Sequence, residues 1–214
     1  MKKILIYIVA SMFAAASAYA ELRIGASVAY TMFTSDGTEE TKSSGEKNNG
    51  SSDENVVVPA LFLEIANSNG LALGIDYTPA DSELGSGTRA DDDFETTGDN
   101  TASAELTGHM TIYGLLPMGS GGAYLKAGVA RASIDTLENL ATGTTYGNAD
   151  VDGLIVGLGF ERETDNGGFL RMEGTYTDYE DVKLRGSLDS DSVRNIVDAD
   201  VDAFAFRISV GKAF

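Results

Sequence analysis

The sequence contains no cysteine and no tryptophan, one histidine and only 3 prolines among 214 residues. Without cysteine there is no disulfide scaffold, thiolate zinc site, iron–sulfur cluster or cysteine nucleophile. Basic residues are scarce as well: 15 Lys and Arg stand against 33 Asp and Glu, for a net charge of −18. That balance argues against nucleic-acid binding, which sets Lys and Arg against phosphate. After the first twenty residues no stretch approaches the ~18 continuous apolar residues of a membrane helix. What is plentiful is glycine, at 25 residues, and an apolar fraction of 43%, too high for a disordered acidic chain. The length suits one domain, or at most two small ones.

Residues 1–20, MKKILIYIVASMFAAASAYA, have the organisation of a secretory signal. Lys2 and Lys3 make a basic start, Ile4 to Ala16 is apolar, and Ala18-Tyr19-Ala20 offers small residues around a cleavage point. A membrane anchor is the competing reading, but the apolar run is short and ends in a cleavage site. With no cysteine to acylate, it is not a lipoprotein signal. It carries two lysines and no acid, so a mature chain of residues 21–214 would have a charge of −20.

From Leu22 onward, side-chain character alternates with period two. Leu22, Ile24, Ala26, Val28, Tyr30 and Met32 share one face, and Arg23, Gly25, Ser27, Ala29 and Thr31 the other. Alternation of this kind marks a strand with one apolar face. It recurs around Val57–Ile65, Leu71–Tyr77, Ala104–Leu116, Leu125–Val129, Leu154–Phe160, Leu170–Tyr176 and Phe204–Phe214. In the fourth strand, Ala104, Leu106, Met110, Ile112 and Leu116 are expected on the apolar face, opposite Glu105, Thr107, His109, Thr111 and Tyr113. Eight strands result, each near the length of ~9–11 residues that crosses a bilayer at a tilt.

The connections alternate too. Asn67–Gly70, Met118–Gly122 and Thr164–Gly168 read as tight turns. Residues 34–55, 80–100, 135–148 and 179–196 are long polar segments. Together these features predict an all-β protein: an eight-stranded antiparallel up-and-down transmembrane β-barrel over residues 21–214. A soluble β-sandwich is the alternative, but it explains neither the short and long connections nor the glycine on the charged face. Pro59, inside the second strand, removes one ladder donor and calls for a rim or a bulge.

The chain ends Phe204-Ala-Phe-Arg-Ile-Ser-Val-Gly-Lys-Ala-Phe214. Phe204, Phe206, Ile208, Val210 and Phe214 alternate, and the segment resembles the carboxy-terminal signal read by the bacterial barrel-assembly machinery. Lys212 departs from the aromatic usual at that place. Phe169–Asp181 contains Arg171, Glu173, Tyr176, Thr177, Asp178 and Tyr179. Their spacing resembles the penultimate strand of the outer-membrane β-barrel family that includes opacity proteins and outer membrane protein A-like barrel domains. Tyr124–Ala130 is similar to that family's fifth strand. The resemblance covers the whole chain in organisation but only these segments in residues. It implies a barrel with surface loops and no single activity.

The charged face predicts a lumen network of Arg23, Glu64, Asp76, Glu105, His109, Lys126, Glu161, Arg171, Glu173 and Arg207. An eight-stranded barrel has an interior about filled by side chains, so these charges should pair into a plug. The alternative is a narrow pore for ions or small solutes lined by the same residues. On the outward parity, Asp150, Asp152, Asp178, Glu180, Asp198, Asp200 and Asp202 form an acidic rim. The rim is solvated surface or, alternatively, a place where Ca²⁺ or Mg²⁺ bridges to lipopolysaccharide phosphates. The run Asp91-Asp92-Asp93 does not have EF-hand spacing. His109, between threonines and without a matching serine, reads as a packing residue, and no catalytic constellation or cofactor is expected.

The expected protein is a non-enzymatic, monomeric barrel in the outer membrane of a Gram-negative bacterium. Its partners would be outer-membrane lipid, lipopolysaccharide and the assembly machinery, and its role structural or surface-interactive. A small channel and a secreted, loop-binding β-protein are the alternatives.

Overall fold

A computed structural model describes residues 21–41, 45–91, 98–139, 145–187 and 195–214. Residues 1–20, where an export signal is expected, and Asp92 and Asp93 lie outside the described residues. The chain forms β1 (Glu21–Thr41), β2 (Glu46–Ala66), β3 (Ala72–Tyr77), β4 (Ser82–Asp91) and β5 (Gly98–Pro117). It continues with β6 (Ala123–Asn139), β7 (Ala149–Glu163), β8 (Gly168–Tyr179), β9 (Val182–Arg185) and β10 (Ile196–Ala213). All neighbours are antiparallel, and β10 pairs with β1 over Arg23↔Ala213 to Glu40↔Ile196, closing the sheet. The ring has eight staves: β3 and β4 both pair with β5, and β8 and β9 both pair with β10.

The tight turns form as the sequence predicts. Asn67 Oδ1 accepts from the backbone N–H groups of Asn69 and Leu71, and Gly70 takes a φ of 81°. Gly119, Gly122 and Gly167 supply the same left-handed geometry in the other two turns. Both ends of the barrel chain lie on this side, where Leu22 and Phe214 exchange backbone hydrogen bonds.

Side chains of one parity face out and stay uncovered. Leu154, Val156, Leu158 and Phe160 are exposed, as are Ile24, Leu61 and Phe206. A continuous apolar belt of this kind is untenable in water and suits hydrocarbon. Residues 22–32 of β1 rise about 33 Å along the strand, or roughly 23 Å in height at a 45° tilt, close to the apolar band of a membrane barrel. The β1–β10 ladder closes the sheet, so no strand of the belt stands as a free edge, as a membrane demands.

Two expectations fail. The long polar segments are not simply loops: β1, β2, β6 and β10 run well past the belt, pairing Thr38 with Asn49 and with Asp198. Hairpin strands prolong each other through their backbone bonds whatever their side chains, so polar sequence does not end them. Second, the face assignment in the fourth stave holds from His109 to Leu116 but inverts before Gly108. A bulge between Thr107 and Met110 sets two residues of β5 against one of β6, with Gly108 at φ 59°. Leu106 is therefore buried inside, and Ala104 packs against the same apolar cluster. Glu105 and Thr107 take the outward parity, and Thr107 Oγ1 donates to Asp135. Glu105 is thus not a lumen residue.

Pro59 lies just beyond Leu61↔Tyr77, where the β2–β3 ladder stops, and Pro79 follows β3. Neither proline can donate a ladder bond, and the stave restarts as β4, bonded to β5 and not to β2.

Candidate functional site

The inward parity of the lower barrel brings the predicted charges together. Arg171, on β8, makes two parallel bonds to Glu64 of β2, Nη1 to Oε1 at 2.6 Å and Nη2 to Oε2 at 2.9 Å. Its Nε and Nη2 also reach Glu161 Oε2, at 3.0 and 2.6 Å. Glu161 in turn accepts from Arg23 Nη1 at 2.8 Å. Arg23 completes its fork with Glu21 and Glu163, both at 2.7 Å. Tyr113 Oη donates to Glu64 Oε1 at 2.6 Å. Bidentate guanidinium–carboxylate bonds satisfy both partners, which is the condition for burying such charges.

One layer higher, Asp76 accepts from Arg207 Nη1 at 2.9 Å, and Lys126 Nζ stands 3.7 Å from Asp76 and 3.3 Å from Glu173. Side-chain exposure here is 0% for Asp76, 1% for Lys126 and 2% for Glu173, so these charges are buried. His109 points inward above it and meets Tyr179 edge-on, with ring centroids 6.3 Å apart. Thus nine of the ten predicted lumen residues face the interior, and Glu105 does not.

Aromatic rings fill the space between the charges. The Arg171 guanidinium carbon lies 5.1 Å from the Phe169 ring centroid, 5.4 Å from Phe62 and 5.5 Å from Tyr124, and Lys126 Nζ is 4.0 Å from Tyr113. These are cation–π distances. Glycine makes the room. A Cβ at Gly159 would fall 2.1 Å from the Tyr124 ring, and one at Gly74 would fall 2.5 Å from Tyr113. The inward parity of Tyr113, Phe62, Glu21 and Glu163 was readable in the sequence, but their charge and ring partners across the barrel were not.

The acidic rim lies on the outer surface above the belt. Asp178 is the register partner of Asp202, and Asp200 that of Asp36. Partial desolvation and then the charges of Asp202, Asp181, Asp178 and Asp36 raise the Asp200 carboxyl above its ordinary value. Asp150 is held low instead, by hydrogen bonds from Ser133 at 2.8 Å and Arg131 at 2.9 Å. Asp198 bonds Lys183 at 2.5 Å. Asp152 and Glu180 sit on the same face, where Glu180 N–H donates to the Asp152 carbonyl. Among the described residues no three acids or histidines are arranged to hold one metal ion.

Above the ion-paired layers the interior turns apolar, which was not expected. Phe33, Leu84, Leu106, Ile134, Val182 and Val201 are buried there in one cluster. Over it opens a cavity of about 450 Å³. At its mouth Tyr146 Oη donates to Glu39 Oε1 at 2.7 Å, and burial and that bond raise the phenol above its ordinary value. The signal was present as parity: Ser35 and Glu39 continue the inward set of β1, and Glu138 that of β6.

Phe204, Phe206, Ile208 and Val210 face outward on β10, and Phe214 is 71% exposed at its end.

No protein-family model matches the chain. No curated protein sequence matches it either. Among solved structures, the chain is similar to outer membrane protein OprG from Pseudomonas aeruginosa, with 16% identity, 89% of this chain and 96% of that one covered, and a TM-score of 0.49. It is similar to the outer membrane protease OmpT from Escherichia coli at 9% identity, covering 91% and 97% of the two chains, with a TM-score of 0.49. It is also similar to Ail, the attachment invasion locus protein of Yersinia pestis, at 12% identity over 89% and 99% of the chains, with a TM-score of 0.39.

Proposed function

We propose that this chain is an integral outer-membrane barrel of a Gram-negative bacterium, exported by residues 1–20, whose role is structural and surface-interactive rather than conductive. One observation carries the reading: the Arg171–Glu64 pair spans the interior with side-chain exposures of 1% and 0%. An interior filled by buried, paired charges and the rings between them offers ions no continuous wet path. The long-strand end, with its acidic outer face, is then the part that meets lipopolysaccharide and the outside, while the short turns and both chain ends face the periplasm. Ca²⁺ or Mg²⁺ bridging rim acids to lipid phosphates would be exchangeable, because Asp150 and Asp198 already hold basic partners. The protein works as a monomer without a cofactor or catalytic chemistry, and its terminal strand is read by the assembly machinery.

The test is conductance across planar bilayers. The refolded barrel is expected to stay silent. Arg171→Ala, which unlocks Glu64 and Glu161 together, is expected to give fluctuating openings. Steady, ion-selective current from the unaltered protein would establish the channel reading instead.

A further inference from the structure

The cavity at the long-strand end is a blind cup. Leu84, Ile134, Val182 and Val201 contribute its walls. Beneath them Leu106, Ala130, Ala132 and Tyr179 are packed in the same buried cluster, and the buried Lys126–Asp76 layer follows. The volume of about 450 Å³ falls within the range of small-molecule sites, and apolar walls with a few polar groups at one end are their usual construction.

The polar end has one sign of charge. Glu39 and Glu138, both on the inward parity, line it, and the described lining residues include no lysine or arginine. Glu39 Oε1 is satisfied by Tyr146 Oη and by Asn195 Nδ2 at 3.1 Å. Glu138 differs. Its Oε1 accepts from the Tyr146 backbone N–H, but its Oε2 is buried without a hydrogen-bond partner among the described residues, and so is Ser35 Oγ. A carboxylate oxygen removed from water with no donor facing it is costly, and a donor brought by a ligand recovers that cost.

We propose that this cup binds a small amphiphile with a compact apolar body and a cationic nitrogen, the body against Val182 and Ile134 and the nitrogen at the Glu138 carboxylate, whose side chain turns to bring Oε2 to the N–H group. An anionic amphiphile such as a fatty acid would set its carboxylate against Glu39 and Glu138 and is disfavoured. The site lies above the ion-paired layers, so it does not depend on whether the lower barrel conducts.

A matched pair of probes tests this: 1-adamantylamine and 1-adamantanecarboxylate, which share an apolar cage and differ in charge. Each is titrated calorimetrically into the mature barrel in zwitterionic lipid nanodiscs, with empty nanodiscs subtracted. The amine is expected to bind saturably, one per barrel, and the carboxylate at least about tenfold more weakly, the scale of one charge-assisted hydrogen bond. Glu138→Gln is expected to shrink that preference to within about threefold. Ala199→Phe, which fills the cup, is expected to abolish amine binding while heat-modifiable gel migration persists. Ala104→Phe serves the same purpose if Ala199→Phe does not fold. Equal binding of the two probes overturns the proposal. So does the absence of saturable binding, an unchanged preference in Glu138→Gln, or amine binding that survives a folded cup-filling variant.

Discussion

Arg171 and Glu64 are 107 residues apart in sequence and joined by two hydrogen bonds of 2.6 and 2.9 Å across the barrel interior. Each stands on a different stave, and Glu161 and Tyr113 take up their remaining capacity. This pair ties β2 to β8 through the lumen rather than around the wall, so it works as an internal strut.

Breaking one side of the strut should cost more than removing both. Glu64→Gln leaves the Arg171 guanidinium undercompensated in a dry interior, which is expected to destabilise by about 3–5 kcal/mol. The double variant Glu64→Gln, Arg171→Met should recover a large part of that loss. Urea unfolding in detergent or lipid, followed by tyrosine fluorescence and gel migration, gives the comparison. Equal and additive losses would mean that the two side chains act separately.

Asp200 should be a site of surplus repulsion. Its carboxyl is raised, so the folded barrel holds that proton more tightly than the unfolded chain does. The sign follows from linkage: this group lowers stability as pH rises above the ordinary carboxylate value of about 3.9. Asp200→Asn is therefore expected to raise the melting temperature at pH 7, with the gain shrinking as pH falls to about 4 or below. Millimolar Mg²⁺ should raise the melting temperature of the unaltered protein more than that of Asp200→Asn. A lower melting temperature for the variant at pH 7 would refute the repulsion.

Gly108 decides which face of upper β5 is inside. Deleting it removes the extra residue of the bulge and should turn Leu106 outward and Glu105 inward, since a one-residue slip flips every side chain. The deletion is expected to abolish heat-modifiable folding. Gly108→Ala keeps the count but strains a φ of 59°, for an expected loss of about 1 kcal/mol. A stable deletion variant would show that the two faces are interchangeable.

Phe214 should matter for assembly more than for stability. It is exposed at the end of β10, while its backbone N–H already bonds the Leu22 carbonyl. Truncating it in cells is expected to shift the protein from the outer-membrane fraction to a periplasmic, protease-sensitive pool. Refolding of the same truncated chain into detergent should remain near normal. A chain that fractionates as soluble with and without Phe214 would overturn the membrane reading itself.

The sequence by itself determined the wall. A strand exposes alternate side chains to opposite faces, so Leu22–Met32 or Leu154–Phe160 reveals a belt and a lumen face without any knowledge of neighbours. The turn glycines, the closing strand and the sign of each interior charge follow from the same local reading. The tertiary structure alone decided what depends on count and on closure. One extra residue at Gly108 carried Glu105 out of the lumen and Leu106 into it, because parity has no memory across a bulge. Ring closure chose Glu64 for Arg171 and Asp76 for Arg207 from among several acids of the right parity. Backbone pairing prolonged polar hairpins beyond the belt, and only there did scattered residues such as Leu84, Ile134 and Val201 meet to enclose an apolar cup.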